Sequence, residues 1–132
     1  MSTEQQLVST FSLKEIAVSF LKLVASGKVR QAYEKYITDD FKHHNPYFKG
    51  DAKSLMLAME EDAAQNPHKE LEAKQVIQEN ETVTVFSHVK QNPGDLGFAL
   101  VHIFRFQDDK IVEIWDIGQA IPENSPNENG MF

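Results

Sequence analysis

The residue that most needs a chemical reason is Asp116, which lies in the strand-like segment KIVEIWDIGQ, residues 110–119. Its apolar neighbours Ile114, Trp115 and Ile117 are typical of a buried strand. An ionised carboxylate among apolar side chains is costly unless it is paired or hydrogen-bonded. We therefore expect Asp116 either to have a polar partner or to face a cavity.

A histidine on the preceding strand-like segment is the first candidate partner. A three-residue turn at residues 108–110 sets Arg105 opposite Glu113, which is a favourable cross-strand charge pair. The same register sets His102 opposite Asp116, whereas a slip of one residue would turn His102 to the other face of the sheet. The sequence therefore predicts that this histidine and this carboxylate meet.

A second histidine, His88, is predicted to join His102 and Asp116 through the preceding hairpin of the chain. Pairing Gln91 with Gly97 sets His88 opposite Leu100 and beside His102. All the polar groups of this cluster would then point to the face of the sheet that helices cover.

The predicted cluster is a carboxylate and two imidazoles among Phe86, Phe98 and Phe104. Burial raises the pKa of an aspartate and a nearby imidazolium lowers it. Such a carboxylate can act as a general base on a carbon acid while an imidazole polarises the carbonyl group. The alternative is that Asp116 and His102 satisfy each other inside a core.

The segment FKHHNPYF, residues 41–48, supplies further polar side chains. His43 and His44 are adjacent on an extended segment, so they face opposite ways and are not expected to grip one ion together. His44 with the two pocket histidines and Asp116 could form a mononuclear metal site, but the spacing matches no local zinc motif. The alternative role for His44 and Asn45 is hydrogen bonding at the pocket mouth.

Composition excludes several classes of function. The chain has 132 residues, a formal net charge of −7 and no cysteine. It therefore has neither the basic stripe that nucleic acids require nor a thiolate for catalysis or metal binding. It contains no glycine-rich phosphate loop or dinucleotide fingerprint, so we expect no cofactor. The N-terminus lacks a secretion signal and no apolar run is long enough for a membrane span, which favours the cytoplasm.

The positioning elements are helices followed by strands, which is an α+β pattern within one domain, residues 1–132, with tails at 1–10 and 121–132. Ser12 and Glu15 form a capping box ahead of the first helix. The helical segments are residues 12–27, 29–37 and 52–66, and the strand-like segments are 69–80, 82–91, 96–106 and 110–119. We expect the helices to cover one face of a curved antiparallel sheet.

The other face of that sheet is predicted to be apolar. Its members, by alternation along the strands, are Val83, Val85, Val89, Ala99, Val101, Ile103, Trp115 and Ile117. An apolar surface of this size is not expected to remain in water. We therefore predict a homodimer packed through the sheet, with folding of the C-terminal tail across it as the alternative.

Five motifs in order resemble one known family. They are HHNP, VFSHVKQNPGD, VHIFRF, KIVEIWDIGQAIP and SPNENGMF, which together span most of the chain. They are similar to the SnoaL-like (polyketide cyclase-like) proteins of the NTF2-like superfamily, and most to the branch of predicted aldol-condensation-catalysing enzymes.

The resemblance implies an NTF2-like, cystatin-like cone, in which N-terminal helices pack on a strongly bent antiparallel sheet and enclose a pocket, usually in a dimer. It also implies acid–base chemistry without metal or covalent intermediate. Asp116 would be the catalytic carboxylate, with His102 or His88 beside it, and His44 and Asn45 would face the ligand.

Our leading hypothesis is a cofactor-independent lyase or isomerase acting on a small apolar or carbonyl compound. Asp116, His102 and His88 are the candidate catalytic residues. The candidate substrate-binding residues are His44, Asn45, Phe86, Phe104 and Trp115. The alternative, from another class, is a dimeric ligand-binding module without catalysis.

Overall fold

A computed structural model describes residues 11–132, so the predicted tail at 1–10 lies outside the described residues. The elements in chain order are α1 (Leu13–Ala25), α2 (Val29–Tyr36), β1 (Ile37–His43), α3 (Ala52–Gln65), β2 (Glu70–Glu79), β3 (Thr82–Lys90), β4 (Phe98–Gln107) and β5 (Lys110–Ala120). The fold is α+β, as predicted. No helix of residues 11–132 has the length and hydrophobicity needed to cross a membrane.

Helix α1 begins at the predicted capping box. The Ser12 hydroxyl accepts a hydrogen bond from the Glu15 backbone N–H at 3.1 Å, and the Glu15 carboxylate accepts one from the Ser12 backbone N–H at 3.1 Å. Ile16 and Phe20 recur at helical spacing and are buried against the sheet. Gly27, at φ +88°, follows the helix in the left-handed conformation that favours glycine.

The sheet has five strands in the order β1-β5-β4-β3-β2, where four were predicted. The additional strand is β1, which pairs in parallel with β5 and sets His43 beside Ile114. Its register is irregular between Ile37 and Lys42, and only Phe41 and His43 are fully buried. This irregularity breaks the period-two pattern that would have identified the strand from sequence.

The register between β4 and β5 is as predicted, but the turn differs. Arg105 lies opposite Glu113 and His102 lies opposite Asp116. Asp108 and Asp109 both have positive φ, at 52° and 62°, and form a two-residue turn rather than one of three residues. A bulge next to Arg105 adds one residue to β5. The pairing from Arg105 onward is therefore the same as the predicted pairing.

The predicted register between β3 and β4 is wrong by one residue. His88 lies opposite Ala99, not Leu100. Gly97, at φ +86°, adopts a conformation that a regular strand does not, so pairing starts only at Phe98, opposite Val89. Because side chains alternate between faces, this slip exchanges the two faces of β3.

The exchange corrects the predicted composition of both sheet faces. Three valines predicted for the outer face are instead buried beneath the helices on the inner face: Val83, Val85 and Val89. Phe86 and His88 lie on the outer face instead of the pocket face. Ala99, Val101, Ile103, Trp115 and Ile117 share the outer face with them.

The inner face and the helices enclose one apolar core. Phe104 and Ile111 are fully buried there, and Phe20 from α1 meets Phe104 edge-on with ring centroids 6.0 Å apart. This packing fills one end of the inner face. Asp116 lies further along β5, where burial is incomplete.

We predict that Gly97→Ala destabilises the protein, because an added Cβ would collide with the Val89 carbonyl at a positive φ. The expected loss is about 1–3 kcal/mol in the free energy of unfolding, measured by chemical denaturation. Gly94→Ala is the matched control, since its Cβ would enter open space. Equal stability of the two variants would contradict this account of the hairpin.

Candidate functional site

Asp116 and His102 face each other across β5 and β4, as the sequence predicted. Both side chains are half-buried on the inner face of the sheet. Residues directly opposite in an antiparallel pair have Cβ atoms about 4.5–5.5 Å apart. The carboxylate and the imidazole therefore border the same space.

Asn45 holds the Asp116 carboxylate. Its side-chain Nδ2 donates a hydrogen bond to Asp116 Oδ2 at 3.0 Å, while its Oδ1 accepts one from the Tyr47 backbone N–H at 3.0 Å. The second bond determines which way the amide points. The His44 backbone N–H donates to the Ile114 carbonyl at 3.0 Å, which extends the β1–β5 contact to this position. The unpredicted strand therefore brings the loop to the carboxylate.

His43 orders the same loop from inside the core. It is 6% exposed, its Nδ1 accepts a hydrogen bond from the Asn45 backbone N–H at 3.1 Å, and its Nε2 lies 2.6 Å from the Lys49 carbonyl oxygen. A neutral imidazole has one N–H, so Nε2 donates to Lys49. His43 and His44 face opposite ways, as predicted, and His43 has a structural role.

Tyr33 adds a neutral donor that sequence reasoning did not assign to the site. The side chain comes from α2, is 6% exposed and packs against Phe20 and Phe41 with ring centroids 5.5 and 6.5 Å away. Burial, and then the negative charge of Asp116, raise the pKa of the Tyr33 hydroxyl well above its usual value. The phenol therefore stays protonated near the carboxylate. Its inward direction was readable from helical spacing, but its nearness to Asp116 was not.

The environment of His102 favours its neutral form. Burial lowers the pKa of this imidazole, and the negative charge of Asp116 only partly opposes that effect. The Nδ1 atom is buried and has no hydrogen-bond partner among the described residues. The ring stacks near Phe104, with centroids 6.1 Å apart. His102 can therefore act as a neutral hydrogen-bond donor.

His88 and Phe86 do not reach this site. Both lie on the outer face, where their rings are 4.7 and 5.3 Å from the ring of Phe132. The His88 Nε2 lies 2.7 Å from the Leu96 carbonyl oxygen. His88 lies on the outer face because the register of β3 differs by one residue from the predicted one. Ser87 takes the inner-face position opposite Leu100 that was predicted for His88.

His44 and Trp115 form a separate cluster on the outer face. Their rings stack with centroids 4.8 Å apart, and His44 Nε2 lies 2.6 Å from Glu113 Oε2. Arg105 Nε donates to the other oxygen of Glu113 at 2.9 Å. The hydrogen bond from His44, followed by the contacts with Arg105, lowers the pKa of Glu113. The structure thus places His44 away from the pocket mouth predicted for it.

The histidines considered for a metal site are separated by the sheet. His44 and His88 lie on the outer face and His102 on the inner face. Throughout residues 11–132, no three histidine, aspartate or glutamate side chains converge as metal ligands.

A groove of about 950 Å³ lies elsewhere, along α1. Its apolar lining includes Phe11, Val18, Leu23, Tyr36 and Val76. It does not include Asp116 or His102. The chemistry-bearing residues therefore lie apart from this groove.

Residues 17–114 match the family described as the SnoaL-like domain, and this match covers well over half of the chain. The chain belongs to the SnoaL-like domain family. No curated protein matches this SnoaL-like chain in sequence.

Solved structures agree with the SnoaL-like assignment at the level of the fold. An uncharacterised cystatin-fold protein from Novosphingobium aromaticivorans has a TM-score of 0.68 at 23% identity, covering 80% of this chain and 97% of its own. A proposed polyketide cyclase from Bacillus cereus has a TM-score of 0.68 at 19% identity, covering 80% and 72%. A SnoaL-like protein of unknown function from Burkholderia thailandensis has a TM-score of 0.69 at 11% identity, covering 85% and 98%. These similarities establish an NTF2-like, cystatin-like fold.

We predict that His102 makes the stability of this SnoaL-like protein depend on pH. Because folding lowers its pKa, the unfolded chain binds the extra proton, so stability is complete above the ordinary histidine pKa of about 6.5 and falls as the pH drops below it. His102→Phe should remove up to about 1.4 kcal/mol per pH unit from that slope in denaturation series between pH 7 and 5.

The exposed His68 provides the control for this measurement. His68→Gln should leave the slope as in the wild type. An unchanged slope in His102→Phe would show that burial does not disfavour the imidazolium at this position.

Proposed function

We propose that this protein is a cofactor-independent lyase or isomerase that enolises a small carbonyl compound, with Asp116 as the general base. One observation carries the proposal. The half-buried carboxylate is oriented by the neutral amide of Asn45, and no lysine or arginine forms an ion pair with it within residues 11–132. A carboxylate without a cationic partner retains its capacity to accept a proton.

In the proposed reaction, Asp116 removes a proton from the carbon next to the carbonyl group. The C–H bond breaks, its electron pair forms the enolate, and the proton passes to the carboxylate, which later returns it or yields it to the product. Because Asn45 occupies Oδ2, we assign Oδ1 to the proton transfer. General-base catalysis of this kind contributes about 10²–10⁴-fold to a rate.

Neutral donors would stabilise the enolate oxygen. His102 is held neutral by burial, and the Tyr33 hydroxyl is kept protonated by burial and by the carboxylate. Uncharged donors aimed at a developing oxyanion stabilise it without protonating the base beforehand. Phe104 contributes the apolar wall beside His102.

Family membership supports an aldol-type version of this reaction. The SnoaL-like match covers residues 17–114, and a structural neighbour from Bacillus cereus bears the description of a proposed polyketide cyclase. An enolate is the nucleophile of an aldol condensation, so enolisation is the step that such a reaction requires. His88, Phe86, His44 and Trp115 have no part in the proposed chemistry.

We predict that Asp116→Asn strongly slows enolisation while preserving the fold. The variant keeps a side chain that accepts the Asn45 hydrogen bond through its oxygen but cannot take a proton. Exchange of α-protons for deuterium in a panel of small ketones and 1,3-dicarbonyls, followed by NMR, should slow by at least about 10²-fold relative to the wild type.

Asp40→Asn is the matched control, because it neutralises an exposed carboxylate on β1. It should exchange at the wild-type rate. Full activity in Asp116→Asn would exclude this aspartate as the base. Binding of these compounds without any exchange in the wild type would favour the alternative, a ligand-binding module without catalysis.

We further propose that the protein is a homodimer packed through the outer face of the sheet. The larger apolar residues of that face are Ile77, Phe86, Val101, Ile103, Trp115 and Ile117. Ile77 and Ile117 are 59% and 62% exposed, although Phe132 from the C-terminal tail covers part of the face at Phe86. A contiguous apolar surface of this kind favours association.

We predict that Ile117→Glu converts the dimer to a monomer, because a charge would be buried within the proposed interface. The mass in light scattering should fall from twice the 15.0 kDa of one chain to that of one chain. Leu57→Glu is the control, since Leu57 is 46% exposed but lies on α3. A wild-type protein that is already monomeric would refute the proposed interface.

A further inference from the structure

Two buried polar atoms near the site have no hydrogen-bond partner within residues 11–132. They are Ser87 Oγ and His102 Nδ1. Ser87 is fully buried. Since a buried polar group without a partner costs free energy, both atoms need an explanation.

The two residues are neighbours on the inner face. Ser87 lies opposite Leu100, and Val85 lies opposite His102, so Ser87 and His102 are diagonal neighbours on β3 and β4. Rotation about the single Cα–Cβ bond of Ser87 moves its hydroxyl across this face. A hydrogen bond between this hydroxyl and His102 Nδ1 would give both buried atoms a partner.

We propose that Ser87 is a positioning residue for His102: its hydroxyl donates to Nδ1 and thereby holds the proton of the neutral imidazole on Nε2. This inference rests on the proposed function, because it concerns the donor to the enolate. It assigns a role to a residue that sequence reasoning did not select.

Counting hydrogens favours this direction of the bond. A neutral imidazole has one donor and one acceptor nitrogen, whereas a hydroxyl can serve as either. If Nδ1 carried the proton, it could donate to the Ser87 oxygen, but the Ser87 hydrogen would still lack an acceptor. With the hydroxyl donating, Nε2–H is available to a carboxylate or to a substrate oxygen.

In the proposed reaction, two neighbouring side chains act on the substrate and two others orient them. Asn45 orients Asp116, which takes the proton, and Ser87 orients His102, which donates to the carbonyl oxygen. The substrate class that suits this arrangement is a carbonyl compound whose acidic C–H and oxygen lie on adjacent carbons, so that both are reached together.

The test is a measurement of the His102 tautomer by ¹⁵N NMR in the ligand-free protein. In the wild type, we expect the Nε2–H form with Nδ1 unprotonated. In Ser87→Ala, the preference should be lost and the two nitrogen shifts should converge, while Ser87→Cys, which keeps a weak donor, should lie between. Deuterium exchange into the carbonyl panel should slow about tenfold in Ser87→Ala, the effect of one lost neutral hydrogen bond.

Thr38→Val is the matched control, because Thr38 Oγ1 is also buried and has no partner in the part of the chain that the structure describes, but it lies on β1. It should leave the His102 tautomer unchanged. An Nδ1–H tautomer in the wild type, or the same tautomer in the wild type and in Ser87→Ala, would overturn the proposal. The tautomer is measured without substrate, so its outcome is independent of the Asp116→Asn exchange experiment.

Discussion

The candidate site depends on the parallel pairing of β1 with β5. Without that pairing, the loop that carries Asn45 would not lie beside Asp116, and the carboxylate would have no hydrogen-bond partner on its inner side. The pairing is reinforced by His43, which accepts from the Asn45 backbone and donates to the Lys49 carbonyl inside the core. A buried histidine thus positions the candidate site through the loop that it orders.

The sheet has an inner and an outer face, and successive side chains along each strand point alternately to one face and to the other. Along β5, Asp116 faces the helices, while Trp115 and Ile117 face outward. The same alternation along β3 sends Ser87 inward and His88 outward. Since the period is two, one residue of register separates a side chain on the inner face from one on the outer face. The glycine conformation at Gly97 therefore influences the composition of the site several residues away.

The groups around Asp116 are mostly neutral donors in a chain that carries a net charge of −7. Asn45 is neutral by nature, Tyr33 stays protonated because burial and then the charge of Asp116 raise its pKa, and burial disfavours a charged His102. Protonated side chains that are uncharged can stabilise a second developing negative charge without quenching the first. This balance suits the proposed enolate chemistry better than a permanent salt bridge would.

The sequence by itself determined the helix-then-strand order, the capping box at Ser12 and the pairing of His102 with Asp116, because each depends on residues close in the chain. Only the tertiary structure decided that residues 37–43 form strand β1, because its irregular register breaks the alternating pattern. The structure also decided the face on which His88 lies, because the conformation of Gly97 affects the register of β3 and β4. The hydrogen bond from Asn45 to Asp116, and the effect of the Asp116 charge on the pKa of Tyr33, link parts of the chain more than seventy residues apart. No local pattern encodes contacts over such separations, because they arise only when strands and helices pack together.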